Sequence, residues 1–211
     1  MMSKILVADD HQLIREGFKN VINNEVDMEV VGEAENSAEV IEFLHSNSCD
    51  VVVLDITMPG RSGLDILKEI HEINSDIKVL ILSMHPEDRF ALRAVKSGAD
   101  GYITKERAPK EIVSAIRKVK NGGKYISDKL TVQLIDELKD PEQGPPHNAL
   151  SGREYEVFEL LAQGISVAEI AEELSLSQST INTYRHRIFE KMHMSSNAEI
   201  IRYALTENLI E

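Results

Sequence analysis

Two short apolar runs in the first quarter of the chain each end directly in aspartate. Residues 5–8 (ILVA) precede the pair Asp9-Asp10. Residues 51–54 (VVVL) precede Asp55. Continuous runs of branched side chains are typical of strands buried on both faces of a parallel sheet. The carboxyl ends of such strands meet at one edge, where open α/β sheets bind their ligands. The sequence therefore predicts three carboxylates gathered at one edge of a parallel sheet.

Three neighbouring carboxylates repel one another unless a cation lies among them, and Mg²⁺ is the hard cation that prefers oxygen ligands. Two further predicted strands end in polar residues, residues 79–82 (VLIL) at Ser83 and residues 101–104 (GYIT) at Lys105. An ammonium and a hydroxyl are suited to bind phosphoryl oxygens. A carboxylate can accept a phosphoryl group from an in-line donor. We therefore predict that Asp55 is phosphorylated, with Mg²⁺ as the cofactor.

Each of these residues has an ordinary structural explanation when it is taken alone. An aspartate pair after a strand commonly forms a turn, and Ser83 fits as the N-cap of a following helix. Lys105 fits as a solvated surface charge and Tyr102 as a strand aromatic. Thr57 fits as a turn residue. Their joint placement at alternate strand ends favours the functional interpretation.

Strand and helix alternate five times in residues 1–124, which is the pattern of a doubly wound sheet. The first helix should carry an apolar face, and the second should begin at Asn36, which has Glu39 three residues later. The predicted members of the first helix's apolar face are Leu13, Phe18, Val21 and Ile22. The predicted fold of this part is a five-stranded parallel α/β sheet.

The character of the chain changes after residue 124, and at 211 residues it has room for two domains. Residues 125–147 form the predicted linker, which holds a short helix over 128–139 and then three of the chain's six prolines. Residues 148–211 form the predicted second domain, and from Leu150 onward their pattern is purely helical. There, a short helix, a tight turn and a longer helix that ends at Met192 predict a helix-turn-helix, whose second helix can enter the major groove of DNA.

The long helix of this second part has polar and basic residues on its exposed face. Its amides and hydroxyls suit base edges, and its basic residues suit phosphates. The candidate DNA-binding residues are Gln178, Thr180, Asn182, Thr183, Arg185, His186, Arg187 and Lys191. Taken alone, the same face also fits the solvated side of a helical bundle.

The strand-end residues, with Met58-Pro59-Gly60 after Asp55, resemble the receiver domain of two-component response regulators. The resemblance implies a flavodoxin-like fold and a partner histidine kinase as phosphodonor. It also implies Mg²⁺ ligands and a pair of switch residues. The implied ligands are Asp10, Asp55 and the backbone carbonyl of Thr57, with Asp9 acting through water, and the implied switch pair is Ser83 and Tyr102.

The second part resembles a four-helix output domain of the LuxR type. The resemblance rests on residues 150–154 (LSGRE), 164–166 (GIS), 169–171 (EIA), 180–181 (TI) and 191–192 (KM). The whole chain is thus similar to the NarL/FixJ family of response regulators. It departs from the family at Asn182, Tyr184 and Asn197, where lysine, histidine and arginine are usual.

The predicted output domain is acidic. From residue 147 onward, five Lys/Arg face ten Asp/Glu, so this part contributes −5 to the total net charge of −13. DNA-binding proteins usually show a basic surface, so the charge argues against strong DNA affinity.

Cys49 is the only cysteine, which excludes an intrachain disulfide and favours a cytoplasmic protein. A strand begins almost at the N-terminus, so we expect no signal peptide. No apolar run approaches the roughly 18 residues of a membrane span, so we expect no membrane contact.

We predict a transcription factor that a histidine kinase switches by phosphorylating Asp55, and that then binds double-stranded DNA as a homodimer. It is not an enzyme beyond its own phosphoryl transfer and dephosphorylation. Two alternatives stay open at this point. In the first alternative, the chain is a regulator whose receiver acts without phosphorylation. In the second, it is a phosphotransfer or interaction adaptor that does not bind DNA.

Overall fold

A computed structural model describes the backbone of residues 2–139, 145–207 and 209–210, and the side chains of these residues except 88–89 and 136–139. The chain divides into two compact units, Met1–Asp136 and Glu137–Glu211. Residues 140–144 of the predicted linker lie outside the described residues.

The first unit alternates strands and helices, as the sequence predicts. Its elements are β1 (Ser3–Ala8), α1 (Gln12–Asn23), β2 (Met28–Ala34), α2 (Ser37–Ser46), β3 (Val51–Asp55), α3 (Gly63–Ile73), β4 (Lys78–Ser83), α4 (Glu87–Lys96), β5 (Gly101–Thr104) and α5 (Ala108–Lys120). The last helix, α6 (Asp128–Lys139), begins in this unit and ends beyond its boundary at Asp136. The predicted N-cap of α2 is confirmed, because the Asn36 side chain accepts a hydrogen bond from the backbone N–H of Glu39.

The five strands form one parallel sheet in the order β2-β1-β3-β4-β5. The chain order reverses between β1 and β3, which makes the carboxyl ends of these two strands the expected ligand-binding edge. Residues 5–8 and 51–54 have no solvent exposure, as the sequence predicts for strands covered on both faces. Helices α1 and α5 pack on one face of the sheet through Phe18, Ile22 and Ile116.

One prediction for α1 is wrong. Leu13 is 83% exposed, whereas Phe18 and Ile22 are buried. The helix begins at Gln12, so Leu13 lies in its first turn, and the third buried residue of the helix is the charged Arg15.

The segment after α5 packs on the edge of the first unit. Tyr125 forms a parallel bridge with Gly101, and its carbonyl accepts a hydrogen bond from the Tyr102 N–H at 2.9 Å. The backbone N–H of Ser127 donates to the Glu87 carboxylate at 2.9 Å, and Leu130 is only 2% exposed. The predicted helix over 128–139 is therefore present as α6, and Ser127, the residue before it, contacts the first residue of α4.

The second unit is helical, as predicted. A short 3₁₀ turn (Pro146–Ala149) precedes α7 (Gly152–Ala162), α8 (Val167–Glu173), α9 (Gln178–Met192) and α10 (Asn197–Thr206). Capping boxes begin α7 at Ser151 and α8 at Ser166, and the Ser177 side chain caps α9. These caps satisfy backbone donors that the helix itself leaves open. Among the described residues, no helix combines the length and apolar character that a membrane crossing requires.

Candidate functional site

The carboxyl ends of β1, β3 and β5 bring three of the predicted site residues together. Asp9 follows β1 and is fully buried, and Asp55 ends β3 with 2% of its surface exposed. The Lys105 ammonium lies 2.7 Å from the Asp55 Oδ2 atom and 2.7 Å from the Asp9 Oδ2 atom. One buried cation therefore bridges two buried carboxylates, as charges in a protein interior require.

The backbone around Asp55 is closely packed, which fixes the position of its carboxylate. The backbone N–H of Thr57 donates to the Asp55 Oδ1 atom at 3.2 Å. Gly63 begins α3 so close to β3 that a Cβ atom there would lie 2.1 Å from the Asp55 carbonyl oxygen. A side chain at Gly63 would therefore force the β3–α3 loop away from the site.

Burial dominates the electrostatics of Asp55. It raises the pKa of this carboxyl group to about 6, with a further increase from Asp9 and an opposing effect of Lys105. Burial opposes the charge on Lys105, yet the two carboxylates hold the pKa of the ammonium above its ordinary value. At neutral pH, the site therefore holds an ionised carboxylate that is poorly solvated and ready to accept a charged group.

This burial predicts a stability effect. The pKa of Asp55 is higher in the folded protein than in the unfolded chain, so its ionisation costs stability that is recovered as the pH falls through about 6. We expect Asp55→Asn to raise the free energy of unfolding at pH 7.5 by on the order of 1–3 kcal/mol. Melting curves of both proteins in EDTA should converge as the pH falls from 7.5 towards 4. A constant difference at every pH would contradict this explanation.

The donor atoms at the end of β1 suit a hard cation. Ligand atoms of Asp9, Asp10 and His11 all lie within 4.8 Å of one another. The Asp10 side chain is one-third exposed, and its Oδ1 atom lies 2.7 Å from the His11 Nδ1 atom. Carboxylate oxygens that face both solvent and a buried carboxylate fit the preference of Mg²⁺ for oxygen ligands and retained water. Thr57 is exposed beside the same edge.

The two predicted switch residues both form hydrogen bonds with the backbone of His85. The Ser83 hydroxyl accepts a hydrogen bond from the His85 N–H at 3.0 Å, and the Tyr102 hydroxyl donates to the His85 carbonyl at 2.9 Å. The His85 ring also stacks on Phe90 of α4 with 4.3 Å between ring centroids. Ser83 and Tyr102 are both buried. Both predicted switch residues therefore hold the β4–α4 loop in place through hydrogen bonds.

In the second unit, α9 follows α8 after a four-residue turn, and Ile181, Ile188 and Met192 form its buried side. The turn contains Ser175, whose φ of 53° lies in the left-handed region. The predicted DNA-binding residues lie on the other sides of the helix. Gln178, Asn182, Thr183, His186, Arg187 and Lys191 are exposed, and Thr180 and Arg185 are half-buried.

Lys191 of this set pairs with a residue of another helix in the unit. The Lys191 ammonium lies 2.6 Å from the carboxylate of Glu154, the glutamate of the first capping box. Burial opposes the charge on Glu154, but Lys191 and Ser151 together hold its pKa below the ordinary value. Arg187 has an exposed side chain on the same helix.

Comparisons with known proteins give matches along both units. Residues 5–117 match the response regulator receiver domain, and residues 148–204 match the bacterial regulatory proteins of the luxR family. The response regulator UvrY of Escherichia coli is 34% identical over 209 residues, which cover 99% of this chain and 96% of the relative. The oxygen regulatory protein NreC of Staphylococcus epidermidis is 36% identical and covers 99% of each chain. The chain is a NarL/FixJ-family response regulator.

The fold agrees with that of solved response regulators. The regulator shares a TM-score of 0.64 with RcsB from Salmonella enterica serovar Typhimurium, at 23% identity over 96% of this chain and 98% of that chain. That structure is of RcsB bound to promoter rprA in the presence of the phosphomimetic BeF₃⁻. A LuxR-family response regulator from Aurantimonas gives a TM-score of 0.59 at 31% identity and covers 66% of this chain. The predicted fold class, and the combination of a receiver with a LuxR-type DNA-binding domain, are confirmed.

Two residues of the regulator join the site without having been predicted from the sequence. His11 lies against Asp10, and Arg15 donates from its Nη1 atom to the Asp9 backbone carbonyl at 2.6 Å. The helical pattern of α1 offered a signal for Arg15, because it lies three residues before Phe18 and seven before Ile22, on the buried side of the helix. An arginine on such a side indicates a buried partner.

Proposed function

We propose that this response regulator accepts a phosphoryl group on Asp55 from a partner histidine kinase and then binds DNA as a homodimer. The observation that carries the proposal is the buried arrangement of Asp9, Asp55 and Lys105 at the strand ends. A buried carboxylate that shares an ammonium with a second carboxylate is costly to maintain for stability alone. The same arrangement suits the attachment of a dianionic group to one carboxylate, because the ammonium can neutralise part of the added charge.

The residues of the site have separate roles in this proposal. One Asp55 carboxylate oxygen attacks phosphorus in line with the leaving group, and Lys105 neutralises charge on the phosphoryl oxygens. Asp10, Asp55 and the Thr57 carbonyl would hold Mg²⁺, with Asp9 acting through water. The bound ion would supply positive charge to the transferring phosphoryl oxygens. The same site would catalyse its own dephosphorylation, and we propose no other enzymatic activity.

The proposed division of the chain is a receiver over residues 1–124, a linker over 125–147 and a DNA-binding domain over 148–211. Two observations support it, the receiver match that ends at residue 117 and the luxR-family match that begins at residue 148. The packing of Tyr125 and Leu130 on the first unit means that the proposed linker starts with a segment held by the receiver. We further propose that the protein works in the cytoplasm, where a histidine kinase and DNA are both accessible.

DNA binding by the full-length protein tests the proposal. Fluorescence anisotropy with duplexes from the gene's own upstream region should show tighter binding after treatment with acetyl phosphate and Mg²⁺. Asp55→Asn should bind as the untreated wild type does under both conditions. Affinity that is equal with and without the phosphodonor would favour a regulator that acts without phosphorylation. Phosphate uptake without any DNA binding would favour an adaptor, for which the acidic second unit is the supporting observation.

The switch makes its own prediction. Phosphorylation should draw the Ser83 hydroxyl towards the phosphoryl oxygens, so that the His85 N–H loses its acceptor and the β4–α4 loop moves. Ser83→Ala should accept phosphate within a few-fold of the wild-type extent but dimerise poorly. Sedimentation of the phosphorylated proteins measures this, and Ser114→Ala, in an exposed position on α5, is the matched control. Wild-type dimerisation of phosphorylated Ser83→Ala would refute the mechanism.

A further inference from the structure

Arg15 is a buried charge that the proposed phosphoryl chemistry does not use. It lies in α1 with 5% of its surface exposed, on the same side as Phe18 and Ile22. A guanidinium stays charged at every physiological pH, so removing it from water is costly unless its surroundings compensate. An apolar residue of similar size would have filled the position without that cost. The partners of Arg15 should therefore explain its presence.

The guanidinium links the end of β2 to the end of β1. Its Nη2 atom pairs with the Glu35 carboxylate, and its Nε atom lies 3.7 Å from a Glu33 carboxylate oxygen. Its Nη1 atom donates to the Asp9 backbone carbonyl at 2.6 Å, in a buried hydrogen bond. Two carboxylates on one side thus hold the guanidinium in place, and its other side holds the Asp9 carbonyl.

The Asp9 carbonyl belongs to the peptide plane that leads into Asp10. A peptide unit is planar, so fixing its oxygen fixes the direction in which the chain enters Asp10. The Asp9 side chain is held separately, because its Oδ1 atom accepts from the His11 N–H at 2.9 Å and its Oδ2 atom lies against Lys105. In the described part of the chain, Asp10 has no contact of that kind with a buried group, and its side chain pairs with the exposed His11.

We infer that Arg15 is a positioning residue for the cation site, which sets the orientation of the Asp10 carboxylate through the Asp9 carbonyl. The inference rests on the proposed Mg²⁺ site. It assigns Arg15 no contact with the ion, the phosphoryl group or the phosphodonor. Residues that orient ligands in this way typically change metal affinity by 10- to 100-fold when they are replaced.

The direction in which the affinity for Mg²⁺ changes when Arg15 is replaced distinguishes a positioning role from the other roles that a buried arginine can have. Removing a positive charge beside an acidic site strengthens cation binding by simple electrostatics. A purely structural role, the tying of α1 to β2, would lower stability and leave the affinity for Mg²⁺ in the folded protein unchanged. Only the loss of ligand orientation makes the cation bind more weakly while the protein stays folded.

The test uses the full-length protein and Mg²⁺ alone, titrated by calorimetry. We expect Arg15→Met to bind Mg²⁺ at least ten-fold more weakly than the wild type, and Arg15→Lys, which keeps a single charged donor nitrogen, to lie between them. Lys19→Met is the matched control, because Lys19 lies on the same helix and pairs with Glu33 at 2.5 Å. It should bind Mg²⁺ as the wild type does or slightly more tightly.

Phosphorylation by acetyl phosphate gives a second measurement. The Mg²⁺ concentration for half-maximal uptake should rise in Arg15→Met, while the rate at saturating Mg²⁺ stays within a few-fold of the wild type. Circular dichroism tests whether each variant is folded at the assay temperature. If Arg15→Met is not folded, the Mg²⁺ affinity of Arg15→Lys decides the test. Mg²⁺ binding by a folded Arg15 variant that equals or exceeds the wild type overturns the inference. A wild type that binds no Mg²⁺ instead overturns the proposed metal site, and the inference falls with it.

Discussion

Asp55→Asn should abolish covalent phosphate uptake. Intact-mass measurement after incubation with acetyl phosphate and Mg²⁺ should show one added phosphoryl group on the wild type and none on the variant. An amide is nearly isosteric with the carboxylate but lacks the negative oxygen that attacks phosphorus. The expected loss exceeds three orders of magnitude in rate, because the side chain is the covalent acceptor itself.

Two controls make this result specific to the strand-end site. Asp76→Asn changes an exposed aspartate in the α3–β4 turn and should leave uptake at the wild-type level. Wild type in excess EDTA should take up phosphate far more slowly, since the acidic edge would then lack its cation. Equal uptake by Asp55→Asn and wild type would remove Asp55 from the proposed function. If EDTA had no effect on phosphate uptake, the proposed role of Mg²⁺ would be wrong, but the role of Asp55 would stand.

The receiver part of the fold could be predicted from the sequence because its signals are local and repeated. Each buried strand is a continuous apolar run, and each run stops at a polar residue that the sheet then carries to the same edge. Parallel pairing alone brings Asp9 beside Asp55, since β1 and β3 are neighbours. The start of α2 could be predicted from a local signal as well, because the capping Asn36 and Glu39 lie three residues apart.

Side-chain partners between distant elements could not be predicted in this way. Nothing in the sequence near Arg15 indicates that its guanidinium reaches the Asp9 carbonyl, because that contact depends on how α1 sits across β1 and β2. The exposed Leu13 and the buried Arg15 reverse the expectation that apolar residues face inward. The contact between Lys191 and Glu154 joins residues 37 positions apart, and the helical pattern of α9 alone left Lys191 available for phosphates.

A second large effect is expected inside the DNA-binding unit, where Arg153 is 1% exposed and Glu156 is 4% exposed. The Arg153 Nη1 atom donates to Glu156 at 2.6 Å, and its Nη2 atom donates to the Leu174 carbonyl at 3.3 Å. The arginine therefore joins α7 to the turn that precedes the long helix α9. The contribution of Arg153 to stability depends on all of these partners being present, because a buried charge has little solvation by water.

We expect Arg153→Met to destabilise the second unit by about 3–5 kcal/mol, because the buried Glu156 carboxylate loses the guanidinium that neutralises it. Hydrogen exchange in α7 should then be faster by roughly two orders of magnitude or more, while exchange in β1 and β3 stays at the wild-type rate. Arg187→Met, which replaces an exposed arginine of the same unit, should change the opening free energy measured by hydrogen exchange by less than about 0.5 kcal/mol. The double variant Arg153→Met/Glu156→Leu should recover most of the loss, because it removes both buried charges together. If the double variant were as unstable as Arg153→Met, the lost stability would come from packing around the arginine side chain, and the ion pair would not be its source.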